Sequence, residues 1–182
     1  MKSGMRVTGG KYRSRRVNCP PGVIRPAMDR MRESVFSILG DLSGMAFLDL
    51  FSGSGIIGIE AASRGAISVT MVEKDRRKIP VLKANTGFVE EKIEIICLPA
   101  ERFLRQNTRQ YDLIFADPPF NMKAKDALIS TIGEKNALKE NGSIIIHYPA
   151  EDTLPDTIDE MLLYDKRQYG RSIVGFYTSN IS

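Results

Sequence analysis

A chain of 182 residues, 42% apolar and 26% charged, suits one globular domain with a substantial core. No apolar run approaches the ~18 residues of a membrane span, and no apolar core follows the basic start MKSGMRVTGGKYRSRR, so neither an anchor nor a secretory signal is expected. The net charge of +4 is one-ended: residues 1–33 carry nine Lys or Arg against two acids, a net +7 that leaves −3 for the rest, and this points to a polyanion, nucleic acid first.

In chain order, residues 5–17 read as a β-hairpin turning at Gly9-Gly10. In an extended strand Lys11, Arg13 and Arg15 share one face, a comb of cations able to track phosphates. Residues 18–24 are loop-like. Arg25-Pro26 opens a helix to Leu39, with Met28, Met31, Val35 and Ile38 as its apolar stripe, the charged Asp29, Arg30, Arg32 and Glu33 mostly off it, and Gly40 as its stop.

From Ala46 the rhythm alternates. Strands are expected at 46–50, 68–73, 93–97, 112–116 and 142–147, and helices at 56–64, 77–88, 100–106 and 124–135. Pro80 implies that the second of these helices starts late or bends. Such alternation predicts an open parallel sheet with helices on both faces. The end of the chain differs. Segments 161–168 and 172–178 read as a hairpin at Tyr169-Gly170, adding an antiparallel edge, and the acid-rich 151–160 reads as a loop or short helix. Cys19 and Cys97 are far apart and His147 is the chain's one histidine, so no metal site is expected. Free cysteines fit a reduced, cytosolic setting, and His147 reads as a strand-end residue rather than a catalytic one.

The first strand of the sheet runs into LDLFSGSGIIG. Gly53, Gly55 and Gly58 form a literal GxGxxG, and Glu73 follows 20 residues after Gly53. By spacing this fits both a dinucleotide site and an S-adenosylmethionine site, since both need a sharp turn, close backbone approach and an acid for two ribose hydroxyls. Asp49 favours the second, because a carboxylate is unwelcome beside a pyrophosphate and welcome beside an ammonium and a sulfonium.

FADPPF, residues 115–120, favours it too. An exocyclic base amine is a poor nucleophile, its lone pair being delocalised into the ring. Asp117 can accept one N–H and the Pro118 carbonyl the other. Proline fixes where that carbonyl points, and Phe120 offers a face on which the base can stack. Developing positive charge on nitrogen then meets an anion and a dipole. A plain turn capping a strand is the competing account. Competing functions are a DNA or protein amino-methyltransferase, an NAD(P)-dependent oxidoreductase on the same glycine loop, and a non-catalytic RNA-binding module.

RVTGGKYRSRRV, RPAMDRMRESVFSIL, DLFSGSGIIGIEAASRGA, VEKD, FADPPF and YDKRQYGRSIVGFYT, in this order, span nearly the whole chain. Together they resemble the RsmD-type family of small-subunit ribosomal RNA guanine-N2 methyltransferases. The resemblance implies a class I, Rossmann-like fold with a seven-stranded, mostly parallel sheet. It divides one domain, 1–182, into a basic hairpin extension over 1–24 and a catalytic core over 25–182. It implies S-adenosylmethionine as cofactor and 16S ribosomal RNA or the assembling small subunit as partner, with nothing that demands more than a monomer in the cytoplasm. Carried over by motif, Asp49, Phe51, Gly53, Ser54 and Gly55 form the cofactor loop, Glu73 holds the ribose, Lys74 lies beside the adenine, and Asp117 borders both cofactor and amine. Asp117, Pro118 and Phe120 form the amine site. Lys11, Arg13, Arg15, Arg16 and Arg25 meet RNA. Two departures stand out. Pro99 occupies a place where relatives often have an acid, which leaves the adenine contact to the Ala100 backbone. Ala27 stands where relatives often carry a hydroxyl cap.

Overall fold

The computed structural model describes residues 4–19 and 26–179. The expectations for Arg25, for the loop beyond Cys19 and for the side chain of Ala27 lie outside the described residues. Five parallel strands form one side of a single sheet: β3 (Ala46–Leu50), β4 (Ser68–Val72), β5 (Lys92–Ile96), β6 (Tyr111–Ala116) and β7 (Leu138–Pro149). Beyond β7 follow β10 (Ser172–Thr178), β9 (Met161–Tyr169) and β8 (Thr157–Ile158), each antiparallel to its neighbour, in the order β5-β4-β3-β6-β7-β10-β9-β8. The sheet therefore has eight strands rather than seven. The extra one is the two-residue β8, inside the stretch read as loop or helix.

The period of two is visible in what each strand buries. Phe47, Leu113, Phe115 and Ile145 join one apolar cluster with α1 (Pro26–Leu39) and α2 (Ile56–Ser63). Their neighbours Leu48, Ile114, Ile144 and Ile146 join another with α4 (Ala100–Gln106) and α5 (Lys125–Glu134). Strands buried on both faces are why these segments read as continuous apolar runs. The remaining helix, α3, is Ile79–Thr86. It starts later than residue 77 and keeps Pro80 in its first turn, where a missing N–H costs nothing.

The N-terminal extension departs most from expectation. Its strands β1 (Gly4–Arg6) and β2 (Arg16–Asn18) pair over three residues each, with Met5 opposite Val17. Gly9-Gly10 is no hairpin turn. Residues 7–15 form a docked loop: Lys11 N donates to Ser63 O at 2.8 Å and Tyr12 N to Ser63 Oγ at 2.8 Å, at the end of α2. A Cβ on Gly10, at φ +77°, would overlap the Ser63 carbonyl, so only glycine permits this approach.

Helix α1 buries Val35 and Phe36 completely, while Ile38, assigned to its stripe, is 41% exposed. Arg32, expected off that stripe, is instead buried. It donates Nε to Glu60 Oε1 at 3.1 Å and NH2 to the Arg6 carbonyl at 2.7 Å. Glu60, fully buried on α2, also accepts from the Thr8 amide and from Arg64 Nε. One carboxylate thus fastens the extension to two helices.

Candidate active site

Strand order reverses between β3 and β6, the position where open α/β sheets bind ligands beyond their carboxyl ends. There the structure has a cleft of about 480 Å³, lined by residues that include Phe51, Gly53, Glu73, Lys74, Ala100, Asp117 and Pro119. Three strand ends supply it, because β3 pairs with β4 on one side and β6 on the other, with Leu50 opposite both Val72 and Ala116.

The loop after β3 is tightly wound. Phe51 adopts φ +66°, a strained value for an aromatic residue, and Gly53 and Gly55 are also positive in φ. Ser52 N donates to Val72 O at 2.9 Å, tying the loop to β4. A Cβ on Gly53 would meet no protein atom within 4 Å, so this glycine borders open space. Gly55 and Gly58 serve packing instead. A Cβ on Gly58 would come 2.9 Å from Val69 Cγ1 and closer still to Met71 Cε. The three glycines of the motif therefore have different tasks, one toward the cleft and two toward the sheet and α3.

Glu73 is buried and held by two amides: Oε2 accepts from Gly53 N and Oε1 from Asp75 N, both at 2.9 Å. A carboxylate oxygen has two lone-pair directions, so each retains capacity for a hydroxyl. Asp49 lies deeper. Its Oδ2 accepts from Gly58 N at 3.2 Å, and it stands behind the loop rather than on the cleft wall. Burial pushes its carboxyl up to about 8, and the negative charges of Asp117 and Glu73 push the same way. Ser54 and Gly55 are likewise behind the wall. Asn85 Nδ2 donates to Ser54 O and to Asn18 O, each at 2.8 Å, so one side chain bridges the glycine loop and β2.

At the end of β6, Asp117 lines the cleft with its side chain 25% exposed, and Pro118 is buried next to it. Phe120 is 36% exposed, with its ring edge-on to the His147 ring at 5.4 Å between centroids. Lys125, almost wholly buried, donates Nζ to the carbonyls of Phe120 and Met122 and to Asp152 Oδ2, which pins the segment after Pro119. Lys125 gave no signal in the sequence, since a lysine at a helix start reads as solvated.

His147 corrects the reading of a strand-end residue. It is 97% buried within β7, and its Nδ1 lies 2.8 Å from Asp117 Oδ1. The contact follows from register: Ala116 pairs with Ile146, so 117 and 147 stand side by side. The sequence signal is confined to the two strand ends; their adjacency and register come from the fold.

The comb of cations is not formed. Residues 11–14 are a turn, Lys11 Nζ is paired with Glu90 at 2.6 Å and Glu91 at 3.2 Å, and the Arg15 guanidinium sits 5.1 Å from the Phe88 ring centre. Arg13 and Arg16 are exposed.

The family model described as "Conserved hypothetical protein 95" matches residues 5–178. "Ribosomal RNA small subunit methyltransferase D" of Escherichia coli K12 is 30% identical over 177 residues, covering 95% of this chain and 89% of that protein. The Haemophilus influenzae protein of the same name is 32% identical over 172 residues, covering 91% and 89%. Among solved structures, yhhF from Escherichia coli superposes with a TM-score of 0.87 at 29% identity, covering 96% of this chain and 97% of that one.

Proposed function

The chain belongs to this family, the RsmD-type small-subunit ribosomal RNA methyltransferases, and from that premise we propose that it transfers a methyl group from S-adenosylmethionine to the exocyclic N2 of a guanine in 16S ribosomal RNA. The observation that carries this reading is the convergence of Gly53, Glu73 and Asp117 on one cleft of about 480 Å³.

The residues present fit the cofactor. Gly53 leaves room where any side chain would intrude. Glu73 suits the ribose hydroxyls, Phe51, Lys74 and Ala100 the adenine end, and Asp49, Ser54 and Gly55 shape the loop from behind. Burial disfavours the ionised form of Asp49 and the charges of Asp117 and Glu73 add to this, a tension that a cationic ligand relieves and a pyrophosphate aggravates. This favours the sulfonium cofactor over a nicotinamide dinucleotide. When bound, S-adenosylmethionine supplies an electrophilic methyl group.

The protein's own task is to prepare the amine. Asp117 accepts one N–H and the Pro118 carbonyl the other, which draws the nitrogen lone pair out of ring conjugation and aims it. Asp117 is also the acceptor for the proton that nitrogen sheds on gaining a fourth bond. Phe120 presents a face to the base. Arg13, Arg15, Arg16, Arg25 and Lys11 form the RNA surface, Arg13 and Arg16 carrying most of it because Lys11 and Arg15 already have partners. The chain acts as a single domain and a monomer, in the cytoplasm where ribosomes assemble.

The test is methyl incorporation from labelled S-adenosylmethionine into 16S RNA, small subunits, DNA and protein, followed by nucleoside mass spectrometry. N2-methylguanosine from the wild type and almost none from Asp117→Ala is expected, with cofactor affinity retained. Normal turnover by Asp117→Ala ends the amine-site reading, and incorporation into DNA or protein alone ends the RNA reading.

A further inference from the structure

Asp117 is asked to hold one orientation, yet an aspartate on a partly exposed rim has several rotamers open to it. Among the described residues its ion-pair partner is His147, with Nδ1 at 2.8 Å from Oδ1. The imidazole has little freedom: it is 97% buried in the middle of the sheet, with the Phe120 ring packed edge-on at an interplanar angle of 66°. Among the described residues, Nε2 is buried without a hydrogen-bond partner. A buried N–H lacking an acceptor is costly, so the ring's proton belongs on Nδ1, where the carboxylate accepts it.

We propose that His147 is a positioning residue for methyl transfer: donating Nδ1–H to Oδ1, it locks the Asp117 carboxylate so that Oδ2 is the oxygen left to accept the amine. This rests on Asp117 being the amine acceptor. His147 touches neither base nor cofactor in this scheme and acts through Asp117. The Phe120 contact gives it a second lever, since one buried ring supports both the carboxylate and the stacking face. Strand register makes the support rigid, because 147 pairs with Val174 on β10 and directly follows Ile146, which pairs with Ala116 on β6.

His147 is the only histidine of the chain, so tag-free protein gives a single imidazole signature in ¹⁵N-edited NMR. A protonated Nδ1 with a downfield, hydrogen-bonded proton is expected, collapsing toward the commoner Nε2–H form in Asp117→Ala. In steady-state assays His147→Phe should lower kcat by ~10²-fold, the size of an active-site misplacement, while cofactor Kd changes by less than about twofold. His147→Asn keeps an N–H donor near the Nδ1 position and should regain at least about tenfold over His147→Phe. Nε2–H in the wild type, an imidazole spectrum unmoved by Asp117→Ala, or asparagine no better than phenylalanine overturns the inference. The NMR arm stands even if His147→Phe does not fold. Full activity in Asp117→Ala refutes the parent reading, whereas an inactive Asp117→Ala beside a fully active His147→Phe refutes the positioning role alone.

Discussion

Glu60→Ala tests how the extension is fastened to the catalytic core. The Glu60 side chain is completely buried and accepts from three donors: the Thr8 amide, Arg32 Nε at 3.1 Å and Arg64 Nε at 3.4 Å. Removing one partner of a buried ion pair costs about 3–5 kcal/mol, because the charge left behind has no compensation. Arg32 retains Asp29 at 3.1 Å and the Arg6 carbonyl, and Arg64 is partly exposed, so the loss falls near the lower end. About 3 kcal/mol corresponds to a drop of roughly 6–12 °C in Tm for a chain of this size. Urea titration followed by far-UV circular dichroism measures the first, and thermal melts the second. Because Thr8 and Arg6 belong to the extension, RNA affinity should fall further than cofactor affinity. A stability loss below about 1 kcal/mol would mean that the network is solvated in solution and that this reasoning about burial is wrong.

Gly58→Ala should destabilise by about 1–3 kcal/mol through overpacking against Val69 and Met71, read as a lower urea midpoint at unchanged slope. Glu73→Ala, which also strands the Gly53 and Asp75 amides, should weaken S-adenosylmethionine binding at least about tenfold by calorimetry. Neutralising Arg13 and Arg16 should lower the salt slope of RNA binding by ~1 each, with a smaller change for Lys11, which Glu90 and Glu91 already neutralise. Asp49 sets a pH effect. Its carboxyl is raised in the folded protein to about 8, so its contribution to stability is fully present below the ordinary carboxylate range and is lost as pH rises through 8. A bound cation favours the ionised form, so cofactor binding near pH 7 should release protons and tighten toward pH 8. Calorimetry in buffers of different ionisation enthalpy measures this; proton uptake would contradict it.

The sequence by itself determined the layered α/β core, since apolar runs separated by helical periods can bury their faces in few other ways. It also located the glycine loop, Glu73 and Asp117, because sharp turns and strand-end acids are local chemistry written in adjacent residues. It misread what depends on distant partners. Lys11 and Arg15 were legible as cations, but their engagement with Glu90, Glu91 and Phe88 is not, because those residues lie more than seventy positions away. The Gly9-Gly10 pair looked like a hairpin turn, and the carbonyl of Ser63 makes it a docking point instead. Arg32 reads as lying off the apolar stripe and Lys125 carries no signal; Glu60, and the carbonyls of Phe120 and Met122 with Asp152, supply their acceptors in the interior. His147 gained its partner only through the register of β6 on β7. Periodicity tells a residue which face it occupies; only tertiary structure decides which charge or amide waits there, because that pairing is set by how separate segments close on one another.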